Sequence, residues 1–368
     1  MKEIFKLVRS TSLIQEIIKS IKAKLRKREK PLKIMEFCGG HTHSLLRFGL
    51  DELLHPEIEF LHGPGCPVCV LDESLLNYAL ELAWQRGIIF TTYGDLLRVP
   101  NLKGKSLLSL RAEGSDIRIL SNAMEAFHLA KNLPQKKIIF FAIGFETTAP
   151  ATAFVIKRAY EDGLDNLLVV SNHLLSIEVL DFLLSLDATP WMDGIIGPGH
   201  VSAIMGSNSF SEIARKYRIP IVISGFEPLD LVYAVDRLVD AVLRNDCEVI
   251  NAYTRVVSPD GNLQAKGLLE EIFTVRDFFP WRGLGIVPRS AFAIKENFSF
   301  LDAERFFPKP IVEESHKGCI CGRILQAKAK PRDCSLFAKA CTPNTPIGPC
   351  MVSSEGACLA YFKYKKHD

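Results

Sequence analysis

KIIFFAIGFETTAPATAFVIKRAY, residues 137–160, begins with seven residues rich in β-branched and aromatic side chains, turns at Gly144 and continues as an amphipathic helical pattern. Thr147 or Thr148 can cap that helix, and Pro150 fits its first turn, where a missing N–H costs nothing. Strand, glycine turn and helix make one βα unit. The same order recurs upstream: KIMEF (33–37) leads into CGGHTHSLLRFGL, IEFLH (58–62) into GPGCPVCVLDESLLNYALELAWQ, and IIFTT (88–92) into YGDLLRVP. Downstream, NLLVVSNH (166–173), GIIGPGH (194–200) and IPIVIS (219–224) each run into a helical pattern. Such alternation predicts an α/β fold whose parallel sheets are covered by helices.

The tripeptide GPG follows a strand at Gly63–Gly65 and again at Gly197–Gly199. We therefore expect two similar α/β lobes, 31–130 and 131–245, facing a cleft, with strands from 246–300 completing them. In 1–30, the apolar positions Ile4, Phe5, Val8, Leu13, Ile14, Ile17, Ile18, Ile21 and Leu25 recur at helical spacing, predicting an amphipathic helix. Residues 301–368 should form a small third unit packed with that helix. Open parallel sheets bind ligands beyond the carboxyl ends of their strands. Cys38, His41, His43, Cys66, Cys69, Glu146, His173, His200 and Glu227 all fall at such ends and should converge in the cleft.

A chain of 368 residues, 48% of them apolar, can build several cores. Its longest apolar run, Ile138 to Phe145, has strand length, far short of the ~20 residues that span a membrane. The first thirty residues carry ten Lys/Arg against three acids but no signal-peptide core; the net charge of +3 leaves the remainder mildly acidic, without the basic field that tracks nucleic acid. Ten cysteines without a secretory signal point to the cytoplasm, where such spacing signals metal binding or catalysis before structural disulfides.

Six of those cysteines, Cys319, Cys321, Cys334, Cys341, Cys350 and Cys358, lie in the last fifty residues, in a segment too poor in apolar side chains to form its own core. Thiolates around iron would hold it, and a [4Fe–4S] cluster needs four of them. We assign Cys319, Cys334, Cys341 and Cys358 as cluster ligands, with Cys321 and Cys350 spare or alternative, as a thiol pair or disulfide. Cys66 and Cys69 have the two-residue gap of a redox dithiol or of half a zinc site; with no second pair nearby in this lobe, a reversible dithiol is the expectation. Cys38, flanked by Gly39 and Gly40 at a strand end, suits a nucleophile or soft-metal ligand, its thiol acidified by the following helix N-terminus. His41 and His43 can add imidazole nitrogen or donate hydrogen bonds to whatever the thiolate holds. Glu146 and Glu227 can be acid–base groups or helix caps, and His200 after GPG is a further site candidate. No phosphate-binding glycine motif occurs.

Taken together, CGGHTH, GPGCPVC, GFETTAPATA, GPGHVSAIMG, SGFEPLDL and CTPNTPIGPCMVSSEGAC resemble the HypD family of [NiFe]-hydrogenase maturation factors along essentially the whole chain. The resemblance implies two α/β lobes, a [4Fe–4S] region, and a part in assembling the Fe(CN)2CO group delivered to the hydrogenase large subunit. It implies that Cys38 holds that iron jointly with the N-terminal cysteine of HypC, that Cys66 and Cys69 act nearby, and that HypE supplies cyanide. The rival expectation, from residues alone, is a [4Fe–4S]-dependent thiol-disulfide reductase, which would join cluster and dithiol but would not require Cys38 or its histidines.

Overall fold

Residues 10–187, 191–309 and 318–365 are described by the structure, a computed structural model. The βα units carry nine strands: β1 (Leu32–Glu36), β2 (Ile58–His62), β3 (Ile88–Thr92), β4 (Ile117–Ile119), β5 (Lys137–Gly144), β6 (Leu167–His173), β7 (Gly194–Pro198), β8 (Ile221–Ser224) and β9 (Val249–Asn251). They form two all-parallel sheets, one in the order β2-β1-β7-β8-β9 and the other β4-β3-β5-β6. The fold is α/β, as the alternation predicts.

The division between lobes differs from 31–130 and 131–245. Ile34–Glu36 of β1 lie in register with Gly194–Ile196 of β7, so the four-stranded sheet, 88–173, is inserted between the two parts of the five-stranded one. The cause is the burial of these strands on both faces: β3, β6, β7 and β8 are buried at every residue. A continuously apolar strand marks its existence but not its neighbour. Of 246–300, β9 extends the five-stranded sheet, whereas β10 (Phe273–Val275) pairs with β13 (Phe292–Ile294) and β11 (Phe278–Trp281) with β12 (Gly285–Pro288) in separate antiparallel ribbons.

Three apolar clusters cover the sheets. A fourth, smaller one lies in the cysteine segment, against the expectation that it is too poor in apolar side chains: Phe337, Met351, Leu359, Ala360 and Tyr361 pack there with Leu46. Between the sheets lie Met35, Phe37, Phe141, Ile143, Ile195 and Ile223, continuous with Cys66, Cys69 and Trp281. The outer face of the four-stranded sheet packs on helices Met124–Asn132, Ala149–Glu161 and Leu263–Ile272. The outer face of the five-stranded sheet packs on Pro228–Arg244 and on the N-terminal helix Thr11–Leu25. That helix buries Ile14, Ile18, Ile21 and Leu25 against Leu231, Val235 and Leu238, not against the cysteine segment as expected. Its stripe needs a large apolar partner, whereas the apolar side chains of the cysteine segment pack on one another and on Leu46. Ile4, Phe5 and Val8 fall outside the described residues.

Candidate metal centre and cysteine array

Cys38 caps the helix Gly39–Arg47 with extended backbone, and its carbonyl accepts the N–H groups of His41 (2.8 Å) and Thr42 (3.2 Å). Its own N–H donates to Glu36 Oε2 at 3.0 Å. Glu36 is fully buried and also accepts the Thr42 hydroxyl and, at 2.8 Å, His62 Nδ1–H. Burial raises the Glu36 carboxyl above its ordinary range, against the lowering effect of His62. The Tyr361 hydroxyl, from the C-terminal helix Ala357–Tyr364, donates to His62 Nε2 at 3.1 Å.

The glycines around the thiol are required by close approach. Gly39 N–H donates to Gly65 O at 3.1 Å, and a Cβ on Gly65 would stand 2.5 Å from Cys38 Cα. A Cβ on Gly39 would stand 2.5 Å from the Cβ and the carbonyl oxygen of Glu355. Three parts of the chain far apart in sequence thus meet at Cys38. The expected acidification of its thiol does not hold: burial, and then the Glu355 carboxylate, push it up. The helix N-terminus is outweighed because Cys38 is only 8% exposed. Glu355 is itself pushed up to about 7 by burial and by Asp95.

His41 is fully buried, and its Nε2–H donates to the Ser224 carbonyl at 3.3 Å. Nδ1 then carries a lone pair, buried without a partner, and burial lowers the ring to about 4. The ring stacks on Phe226 at 4.6 Å, and His200, on the surface, stacks on the same phenyl at 3.8 Å. His43, two residues on from His41, faces another way; its Nε2 accepts from the Tyr364 hydroxyl at 3.3 Å. Adjacent odd positions on a helix stand about 200° apart, which separates these two histidines.

Cys66 and Cys69, in the turn after β2, are joined by a disulfide, and both are buried. Glu146 accepts the N–H (2.7 Å) and hydroxyl (2.8 Å) of Ser176, capping the helix Ser176–Ser185, and burial raises it to about 7. Glu227 caps Pro228–Arg244 reciprocally with Asp230. His173 is a core residue bonded to Thr152 and Ser171, both at 3.2 Å. The contacts of these three are those of two helix caps and a core histidine.

All six C-terminal cysteines line one small cavity of about 20 Å³, with Ile324, Leu336, Phe337, Gly348 and Met351. Cys321 and Cys350 Sγ stand 2.8 Å apart; Cys341 Sγ accepts Ile347 N–H at 3.4 Å. Among the described residues no three His, Cys, Asp or Glu side chains converge as one ion demands. The donor set is thiol only and surrounds a cavity, and burial together with neighbouring thiols pushes Cys358 well up, so a thiolate there needs cationic charge beside it. This chemistry fits an iron–sulfur cluster, in which each thiolate meets its own iron. The helix carrying Cys358 lies against Gly39–Arg47, with Leu46 packed on Met351, Leu359 and Tyr361. Ser353 and Ser354 hydroxyls donate to Asp95, just beyond β3. The cysteine segment therefore touches the carboxyl ends of both sheets.

Glu36, His62, Glu355, Asp95 and Tyr361 are absent from the residues expected at this site. One signal was present: Glu36 is the sole acid in an otherwise apolar strand terminus, and a buried carboxylate demands partners. Glu355 and Tyr361 carried none, because their place depends on how the terminal segment folds back.

Among the described residues no helix is long and apolar enough to cross a membrane. The family model for HypD, described as the hydrogenase formation hypA family, matches residues 12–365. Similar proteins include hydrogenase maturation factor HypD of Azotobacter vinelandii, 46% identical over 91% of this chain and 90% of its own length. Those of Cupriavidus necator (43%; 97% and 95%) and Escherichia coli (41%; 92% and 91%) bear the same name. With that coverage at both ends of the comparison, the chain belongs to the HypD family of hydrogenase maturation factors.

Proposed function

We propose that this protein is a redox-active scaffold on which the Fe(CN)2CO group of [NiFe]-hydrogenase is assembled, with HypC and HypE, before transfer to the large subunit. The carrying observation is the Cys38 thiol. It sits at a strand end beside Gly65, Gly39 and Glu355, in surroundings that keep it protonated until a cation arrives. A thiol of that kind ionises on coordination, and soft sulfur suits low-spin iron with strong-field ligands. Glu355 is poised to take the released proton, and His41, with Nε2 committed to Ser224, presents a neutral ring.

Cys319, Cys334, Cys341 and Cys358 would hold a [4Fe–4S] cluster, which supplies one-electron chemistry when bound; Cys321 and Cys350 would form the adjacent pair. The Cys66–Cys69 disulfide supports a redox part for that couple, and it favours the alternative of a cluster-dependent thiol-disulfide reductase. We place the protein in the cytoplasm, where a disulfide beside so many free thiols is catalytic before it is structural.

Infrared spectra of the protein isolated anaerobically with HypC separate the two readings, since metal-bound CN and CO absorb where protein does not. Wild type should carry both bands, and Cys38→Ala should lose them while keeping its cluster absorbance. Bands retained by Cys38→Ala would remove this thiolate as the iron ligand. Their absence from wild type with HypC and HypE present would favour the reductase.

A further inference from the structure

We propose that Glu36, His62 and Tyr361 are positioning residues that tie the Cys38 loop to the cysteine array, so that filling or emptying the array changes the reactivity of the Cys38 thiol. The inference rests on reading the C-terminal cysteines as cluster ligands.

Its geometry is a continuous chain. Cys358 is the second residue of Ala357–Tyr364, and Tyr361 follows one turn later, on the face that packs against Gly39–Arg47. From there the contacts run Tyr361 hydroxyl to His62 Nε2 (3.1 Å), His62 Nδ1–H to Glu36 Oε1 (2.8 Å), and Cys38 N–H to Glu36 Oε2 (3.0 Å). Glu36 is 0% exposed and lines no cavity of this region, so it cannot exchange a lost partner for bulk water. A buried acceptor left unpaired is costly, so release at one end is felt at the other.

The array end can release. The first turn of the helix that carries Tyr361 holds Cys358, and a thiolate bound to metal there would fix that start. A cavity of about 310 Å³, lined by Asp51, His55, Glu59, Lys330, His62 and Tyr361, gives the ring space to move when the helix start loosens. Lys365 pairs with Asp51 and Glu52 at the far end of the helix, so motion is confined to its cysteine-bearing start.

The test is the rate at which iodoacetamide labels Cys38 in anaerobic full-length protein, read by mass spectrometry of its peptide. The array is either reconstituted with ferrous iron and sulfide or emptied with a chelator. Wild type should label slowly when filled and about fivefold faster when emptied, the scale of one lost hydrogen bond. Tyr361→Phe, which removes only a hydroxyl, should label fast in both states, and Tyr364→Phe on the same helix should behave as wild type. A Tyr361→Phe protein that is slow when filled and fast when emptied would place the coupling in the Ser353–Glu355 segment and overturn the link. Equal wild-type rates in the two states would overturn it as well. Failure of wild type to develop visible cluster absorbance would instead sink the cluster reading, and the link with it.

Discussion

His173 shows how burial alone decides the state of a titratable side chain. It lies at the end of β6, fully buried, and is lowered to about 3 by burial. The unfolded chain takes up a proton there near 6.5, whereas the folded chain does so only near 3, so stability is lost as pH falls through that window. His173→Gln cannot titrate. Between pH 7 and pH 5 wild type should lose about 2 kcal/mol more than the variant, at ~1.4 kcal/mol per pH unit below 6.5. Urea unfolding followed by circular dichroism at the two pH values measures this; parallel losses would mean that His173 is protonated in the folded state. His173 reads from sequence like His41, each near a strand terminus, yet one contacts core hydroxyls and the other holds a bare lone pair near Cys38. Sequence places such residues at strand ends; only the partners across the fold separate structural from chemical roles.

Elements were more legible than contacts between elements. The helical stripe at Ile14, Ile18, Ile21 and Leu25 was visible in the sequence, and those four are the positions the helix Thr11–Leu25 buries. Its destination was not, because an apolar stripe specifies only that something apolar must cover it. Packing on Pro228–Arg244 makes a specific prediction. Ile21→Ala removes a fully buried side chain and should cost ~2–5 kcal/mol, with a matching fall in the unfolding midpoint. The visible absorbance of the reconstituted cysteine array, measured below the transition, should be unchanged, since the helix packs on the five-stranded sheet. A variant that unfolds normally but cannot hold the cluster would restore the expected contact between the two termini.

At the scale of the molecule, the sequence announces two sheets and one cysteine-rich terminus but conceals how the sheets are threaded. Strand pairing here joins β1 to β7 across more than a hundred and fifty residues, and no local pattern encodes a partner that distant. The interleaving does explain why distant motifs meet: CGGHTH, GPGCPVC, GPGH and SGFE end strands of one sheet, while the terminal SSEG lies over Cys38 and reaches Asp95 of the other. It also predicts how the chain can be divided. A fragment of residues 31–130 contains β1 and β2 without β7, and β3 and β4 without β5, leaving two isolated strand pairs. Two-stranded pairs are marginal at best in water, so this fragment should show no cooperative unfolding transition. Residues 86–175 keep all four strands of the second sheet and the helices Met124–Asn132 and Ala149–Glu161 on its outer face, and should unfold cooperatively, though less stably than the whole chain. Thermal circular dichroism of the two fragments decides between the threadings. A cooperative transition in 31–130 with none in 86–175 would mean that the lobes follow one another along the chain instead of being nested.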